Sequence, residues 1–238
     1  CTPDHPLAPG DEDPIGGGAI LSADCRLIGC DVVSNAAATL GGGVYGFSGA
    51  TVEACSFDEN SAEDGGGAYL ARGTLLDSTF RDNLADPGYG GGARVVDGDV
   101  AGCAFYRNNG YWGGGLMLEG GTASDLVAVS NMAAAGAGLA AAEARITGAR
   151  LAYNTAYDHG GGAYLEMCWI SDSAVSNNDL AWQELTNQLA YGAGIASTVS
   201  RIENCVVRGN RGFDADDRGG GIACAPIGAW TNLIIDCD

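Results

Sequence analysis

A glycine triplet returns along this chain at near-constant spacing, and few folds can absorb such a pattern. Triplets begin at Gly16, Gly41, Gly65, Gly90, Gly113, Gly160 and Gly219, with Gly-Ala-Gly variants at Gly136 and Gly192. An asparagine stands between successive triplets, at Asn35, Asn60, Asn83, Asn108, Asn131, Asn154, Asn178 and Asn210. From triplet to asparagine the step is 18 or 19 residues throughout, whereas from asparagine to triplet it is 6, 5, 7, 5, 5, 6, 14 and 9. A rigid segment alternating with a variable one, at a period of about 24, marks a solenoid. That period is too short for paired-helix repeats and suits one coil of a parallel β-helix.

The rigid segment says which residues face inward. Third before each asparagine stand Val32, Phe57, Phe80, Phe105, Ala128, Leu151, Val175 and Val207. Fifth before it stand Cys30, Cys55, Ser78, Cys103, Leu126, Ala149, Ser173 and Cys205, and eighth before it Leu27, Val52, Leu75, Val100, Ala123, Ile146, Ile170 and Ile202. Positions three and five share a strand face; the step from five to eight breaks the alternation and predicts a bend. Pairs such as Ala68 with Leu70 after the triplets give a third inward strand. The expectation is an all-β, right-handed parallel β-helix of about nine coils and three short strands per coil. It would be roughly 40 Å long at about 4.8 Å per coil.

Glycine suits places where φ is positive or where layers approach too closely for a Cβ. Asparagine tolerates the left-handed conformation at a turn, and stacked amides can bond to one another along the axis. The stretch 1–15 carries Pro3, Pro6, Pro9 and Pro14 around Asp11-Glu12-Asp13 and reads as a tether or cap, leaving 16–238 as the β-helix. At the other end Trp230, Leu233 and Ile235 match the eighth, fifth and third positions before Asp238, so the chain is expected to stop mid-coil. Such an open edge invites self-association.

Phe57-Asp58-Glu59-Asn60 followed by Gly66-Gly67-Ala68, and Phe80-Arg81-Asp82-Asn83 followed by Gly91-Gly92-Ala93, resemble the paired repeats of the polymorphic outer membrane proteins. The resemblance implies a surface-exposed β-helical scaffold of the kind used for adhesion.

A formal charge of −19, with 11 basic residues that are all arginine, leaves no basic stripe to neutralise phosphates. A general nucleic-acid binder is thereby excluded, and an anionic membrane surface would repel the chain. No apolar run approaches the ~20 residues of a membrane-spanning helix. An acidic, lysine-free, glycine-rich repeat fits an extracellular or cell-surface protein. Cys1, ahead of the proline-rich stretch, fits a lipid-anchor cysteine as well as a disulfide partner. Four cysteines sit on the inward fifth position, where a thiol packs as a small apolar group; Cys30 and Cys55, in adjacent coils, are close enough to bridge.

β-Helices also serve polysaccharide-acting lyases and hydrolases. A resemblance to polygalacturonases would need Asn-Thr-Asp, Asp-Asp, His-Gly and Arg-Ile-Lys in that order. Here Asn154-Thr155 is followed by alanine, His159-Gly160 precedes Asp216-Asp217, and lysine is absent. His159, just before a triplet, reads as a turn residue. Binding is therefore expected ahead of catalysis, with end-to-end assembly into a filament as a further alternative.

Two surfaces are candidates for that binding. Second after each triplet, pointing outward, stand Tyr45, Tyr69, Arg94, Met117 and Tyr164; an aromatic column can stack sugar rings or meet a surface protein. The two long asparagine-to-triplet segments form the second. One offers Trp182, Glu184 and Asn187, and the other Phe213 with Asp214, Asp216 and Asp217, three carboxylates that could hold calcium.

Overall fold

The computed structural model describes residues 17–181, 191–212, 220–225 and 233–237. Every strand pairs in parallel with its equivalent one coil away, giving two sheets of nine strands and one of eight, in about eight turns. The first ladder follows the triplets and runs from Ala19–Leu21 through strands such as Ala93–Val96 to Ile222–Ala225. The second runs from Arg26–Ile28 to Leu233–Ile235, and the third from Asp31–Val33 to Val206–Arg208. Register is kept residue for residue, with Phe57 opposite Phe80 and Phe80 opposite Phe105.

The inward columns form one continuous core. Phe57, Phe80 and Phe105 are fully buried and stack face to face, with centroid separations of 4.6 and 5.0 Å. Beside them runs an unbroken amide ladder. Each asparagine from Asn35 to Asn178 donates from Nδ2 to Oδ1 of the asparagine in the next coil, and its backbone N–H donates to the same oxygen. From Asn60 onward Nδ2 also donates to the third-position carbonyl of the preceding coil, Val32 for Asn60 and Phe80 for Asn108. The six buried members, Asn60 to Asn178, carry corner polarity into the interior without an unsatisfied amide atom.

The left-handed conformation belongs not to the asparagine but to the residue before it: Glu59, Asp82, Arg107 and Tyr153 have φ between 52° and 56°. The asparagine keeps an ordinary backbone because its side chain, pointing inward, must stay in register with its neighbours. The bend between positions five and eight is likewise one left-handed residue, the sixth, at Asp77, Gly102 and Asp172 among others. At the triplets the first glycine turns the corner, as Gly65 does with φ 63°. The second is forced by proximity: a Cβ on Gly66 would lie 2.4 Å from the Leu84 carbonyl oxygen and 2.5 Å from that of Gly91.

Two expectations are corrected. Beyond three strands per coil, a fourth short ladder forms just after the asparagines, in two pieces: Ser61–Ala62 with Leu84–Ala85, and Met132–Ala135 with Thr155–His159 and Asp179–Leu180. The register at the far end also differs. Ile202 pairs with Ile234 and Arg201 with Leu233, so Ile234 takes the eighth position and Cys237 follows Cys205 in the fifth. Counting back from Asp238 misplaces them because Asp238 does not stand at the asparagine position of that coil.

Cys55, Cys103, Cys168 and Cys205 are buried free thiols. Cys30 and Cys55 are not bridged; the Cys30 N–H donates to Cys55 Sγ at 3.4 Å. Cys25 is disulfide-bonded. No helix among the described residues is long and apolar enough to cross a membrane.

Candidate functional site: an axial aromatic stripe

Two outward columns run side by side along the first ladder. One is the second residue after each triplet, where parallel pairing places Tyr45 beside Tyr69, Tyr69 beside Arg94 and Ala140 beside Tyr164. The other is the residue immediately before each triplet, linked through isolated bridges: Leu40 with Asp64, Tyr89 with Trp112, Trp112 with Ala135, and His159 with Tyr191. The glycine corner folds the second column back against the first.

The two columns interlock into one stripe. The Tyr45 and Tyr69 rings lie 5.8 Å apart. Arg94 is the hinge of the next section, its guanidinium carbon 5.6 Å from the Tyr69 ring centre and 4.8 Å from that of Tyr89. Its charge is spent locally, donating to Asp64 Oδ2 at 2.5 Å and to Glu119 Oε1 at 2.8 Å. Burial alone would pull the Arg94 pKa down, but Asp64 and Glu119 more than offset this and raise it. Asp64 also accepts from the Tyr89 backbone N–H at 2.8 Å, so the carboxylate that ties Arg94 to the second column is itself fixed within that column.

Beyond Arg94 the rings continue. Tyr89 meets Trp112 edge to face at 6.3 Å, and Trp112 meets Tyr164 at 5.0 Å. That last contact crosses two coil steps, roughly 9.6 Å of ladder. It is made possible by the intervening coil, which supplies only Ala135 and Ala140 to the two columns. Ala140 faces outward yet is fully buried, flanked in register by Met117 and Tyr164. His159 then lies 6.3 Å from Tyr164 and 5.2 Å from Tyr191. From Tyr45 to Tyr191 the stripe covers six coil steps, about 29 Å.

His159 is therefore not a plain turn residue. It ends the strand Thr155–His159, and its Nδ1 is buried with no hydrogen-bond partner among the described residues. Burial lowers its pKa, against the opposing charge of Asp158, so the neutral ring is favoured. Burial raises the pKa of Tyr45, Tyr69 and Tyr164 in the same way.

Of the residues expected to bind, Tyr45, Tyr69 and Tyr164 lie in this stripe. Trp182, Glu184, Asn187 and Phe213 fall outside the described residues, as do Asp214, Asp216 and Asp217 with their expected calcium. Among the described residues no group of three or more His, Cys, Asp or Glu side chains is placed to hold a metal ion. Sequence reasoning missed Tyr89, Trp112, His159 and Tyr191, although all four occupy one position relative to the triplets. A second aromatic feature, Trp169 between the guanidinium groups of Arg145 and Arg201 at 4.2 and 4.7 Å, lies on the second ladder and does not join the stripe.

No protein-family model and no curated protein matches the chain. Among solved structures, the crystal structure of pectate lyase Pel9A matches over 94% of this chain and 70% of that one, at 13% identity and a TM-score of 0.35. A likeness of that size carries no argument about activity.

Proposed function

We propose that this chain is a non-catalytic binding scaffold of the cell surface or extracellular space, holding an extended neutral glycan along the axial stripe. The observation that carries the reading is continuity: rings from Tyr45 to Tyr191 follow one another along one line of the molecule, with the Arg94 guanidinium joining Tyr69 to Tyr89. A polymer of rings is the ligand that such a line matches, because each sugar can lay a face on an aromatic side chain. The ionic groups of the stripe support binding over bond cleavage, since Arg94, Asp64 and Glu119 are engaged with one another in two ion pairs. The net charge of −19 favours a neutral glycan over a polyuronate. The Cys25 disulfide supports an oxidising compartment, and the resemblance to polymorphic outer membrane protein repeats supports a surface location.

Affinity electrophoresis through gels carrying xyloglucan, galactomannan or polygalacturonate tests this. Retardation is expected in a neutral glycan and not in polygalacturonate. Trp112→Ala should weaken it roughly 2- to 12-fold, the equivalent of about 0.5–1.5 kcal/mol for one ring contact. Migration unchanged by every neutral glycan, or retardation indifferent to Trp112→Ala, would reject the reading.

A further inference from the structure

Around the corner from the stripe, the fourth ladder is broken, and the break is a pocket. Between its two pieces only single bridges remain, Leu84 with Asn109 and Asn109 with Met132. Two features pry the backbone apart here. The Asn83-to-Gly90 segment has a step of 7 where its neighbours on either side have 5, so this corner carries two extra residues, with Asp86 and Pro87 exposed. In the coils that follow, the pairing of Met132–Ala135 with Thr155–His159 shifts register between Ala133 and Ala135. The cavity between them has a volume of about 320 Å³.

Its walls are held rigidly by backbone. Tyr111 N–H donates to the Gly88 carbonyl at 2.8 Å, and the Tyr111 carbonyl accepts from the N–H groups of Ala134 and Ala135 at 2.9 and 3.3 Å. The side chains, by contrast, are largely uncommitted. Asp86 lines one wall, Asn109 and Tyr111 the middle, and Ala134 and Tyr157 the other wall. The Asp86 carboxylate, the Asn109 amide and the Tyr111 hydroxyl make no hydrogen bond to another described residue, while Tyr157 directs its hydroxyl to Met132 Sδ at 2.9 Å. Tyr111 is 54% exposed, so its ring face is offered to a ligand and is not packed away.

We infer that this pocket binds a single neutral pyranose unit. Its volume stands at the small end of ligand sites, enough for one ring and too little for an oligosaccharide. An amide supplies both donors and acceptors and a carboxylate supplies acceptors, the pair that vicinal hydroxyls require. A tyrosine face supplies the apolar contact for the C–H side of the ring. Asp86 and the surplus of negative charge disfavour an anionic sugar. The inference does not rest on the stripe, which shares no side chain with the pocket.

Saturation-transfer NMR on the whole chain, with methyl α-D-glucopyranoside, methyl α-D-mannopyranoside and methyl β-D-galactopyranoside at millimolar concentration and D-galacturonate as the charged control, tests it. Transfer to at least one neutral glycoside is expected and none to galacturonate. Asn109→Ala and Tyr111→Ala should each weaken binding roughly tenfold, as expected on losing a ligand hydrogen bond or a ring contact. Both side chains are exposed and neither carries the backbone bonds of the wall, so circular dichroism of the variants should match that of the parent. Ile28→Ala, an exposed residue of the second ladder that belongs to neither surface, should leave the signal unchanged. The proposal is overturned by no transfer to any neutral glycoside, by equal transfer to galacturonate, by indifference to both pocket variants, or by loss of signal in Ile28→Ala alone.

Discussion

Replacing Asn108 by alanine tests whether the amide ladder holds the coils together, and the structure fixes how much should be lost. Asn108 is 0% exposed. Its Oδ1 accepts from the Asn83 backbone N–H at 3.0 Å and from Asn83 Nδ2 at 2.9 Å, and its Nδ2 donates to the Phe80 carbonyl at 3.1 Å. Alanine removes all three partners. Its other bond, from Nδ2 to Asn131 Oδ1, is less costly to lose because that oxygen keeps the Asn108 backbone N–H at 2.9 Å. Three interrupted bonds to buried groups, at about 1–3 kcal/mol each and allowing for some relaxation, predict a loss of about 3–6 kcal/mol. Asn35 is the internal control. It accepts from no other asparagine, and Asn60 Oδ1, to which it donates, keeps the Asn35 backbone N–H at 3.0 Å. Asn35→Ala also loses the Nδ2 bond to the carbonyl of the exposed Val33 at 3.2 Å, which water can replace, so it should cost only about 0.5–1.5 kcal/mol. Urea unfolding gives both numbers from the shift in midpoint at a common slope. Hydrogen exchange at the Asn83 amide should accelerate in Asn108→Ala and not in Asn35→Ala. Losses equal within about 0.5 kcal/mol would refute the idea that buried amide satisfaction, not mere stacking, makes the central coils stable.

Thiol chemistry and pH give two further tests. Burial pushes the Cys103 pKa up to about 12 and those of Cys168 and Cys205 up to about 11, so none should react with iodoacetamide in the native protein at pH 8, whereas the exposed Cys224 should. Peptide mapping reads this directly, and native alkylation of Cys103 at the Cys224 rate would contradict its burial. His159 has a folded pKa below its unfolded one, so as pH falls through the ordinary histidine range the unfolded chain takes the proton first and stability declines. Once the pH is below the folded value the decline stops. His159→Gln should flatten that part of the stability curve between pH 8 and 5, and a curve identical to the parent's would show that the ring is not held neutral by burial.

The coil period and inward columns were legible because in a solenoid one constraint is repeated at every coil. A phenylalanine at position three must stack on its equivalent, so Phe57, Phe80 and Phe105 announce the fold by recurrence alone. Reading failed where the recurrence lapses. The last coil's register is set by Ile202 meeting Ile234, which no local count back from Asp238 reveals. The fourth ladder escaped because strands of two residues, such as Leu84–Ala85, are too short to show alternation. Half of the stripe was visible as Tyr45, Tyr69 and Tyr164. The other half sits in a column where Leu40, Asp64 and Ala135 interrupt the rings of Tyr89, Trp112, His159 and Tyr191, and only the glycine corner shows that this column leans on the first.

The plainest stretch of the chain turns out to organise both candidate surfaces. Residues 132–142 read Met-Ala-Ala-Ala-Gly-Ala-Gly-Leu-Ala-Ala-Ala, with nothing that suggests chemistry. Smallness is what this coil contributes. Ala135 and Ala140 leave the room through which Trp112 reaches Tyr164, so the rings join across a coil that has none. Ala133 and Ala137 pack with Ala156, Leu180 and Ala193 into a minor core of their own, apart from the main one. The register shift at Ala133 and Ala135 then opens the wall that Ala134 lends to the pocket. A bulky residue at Ala134, Ala135 or Ala140 would be compatible with the β-helix period yet would close one surface or split the other. Selection on binding at this coil would thus act as a limit on volume, which is why a reading that searches for reactive groups passes over it.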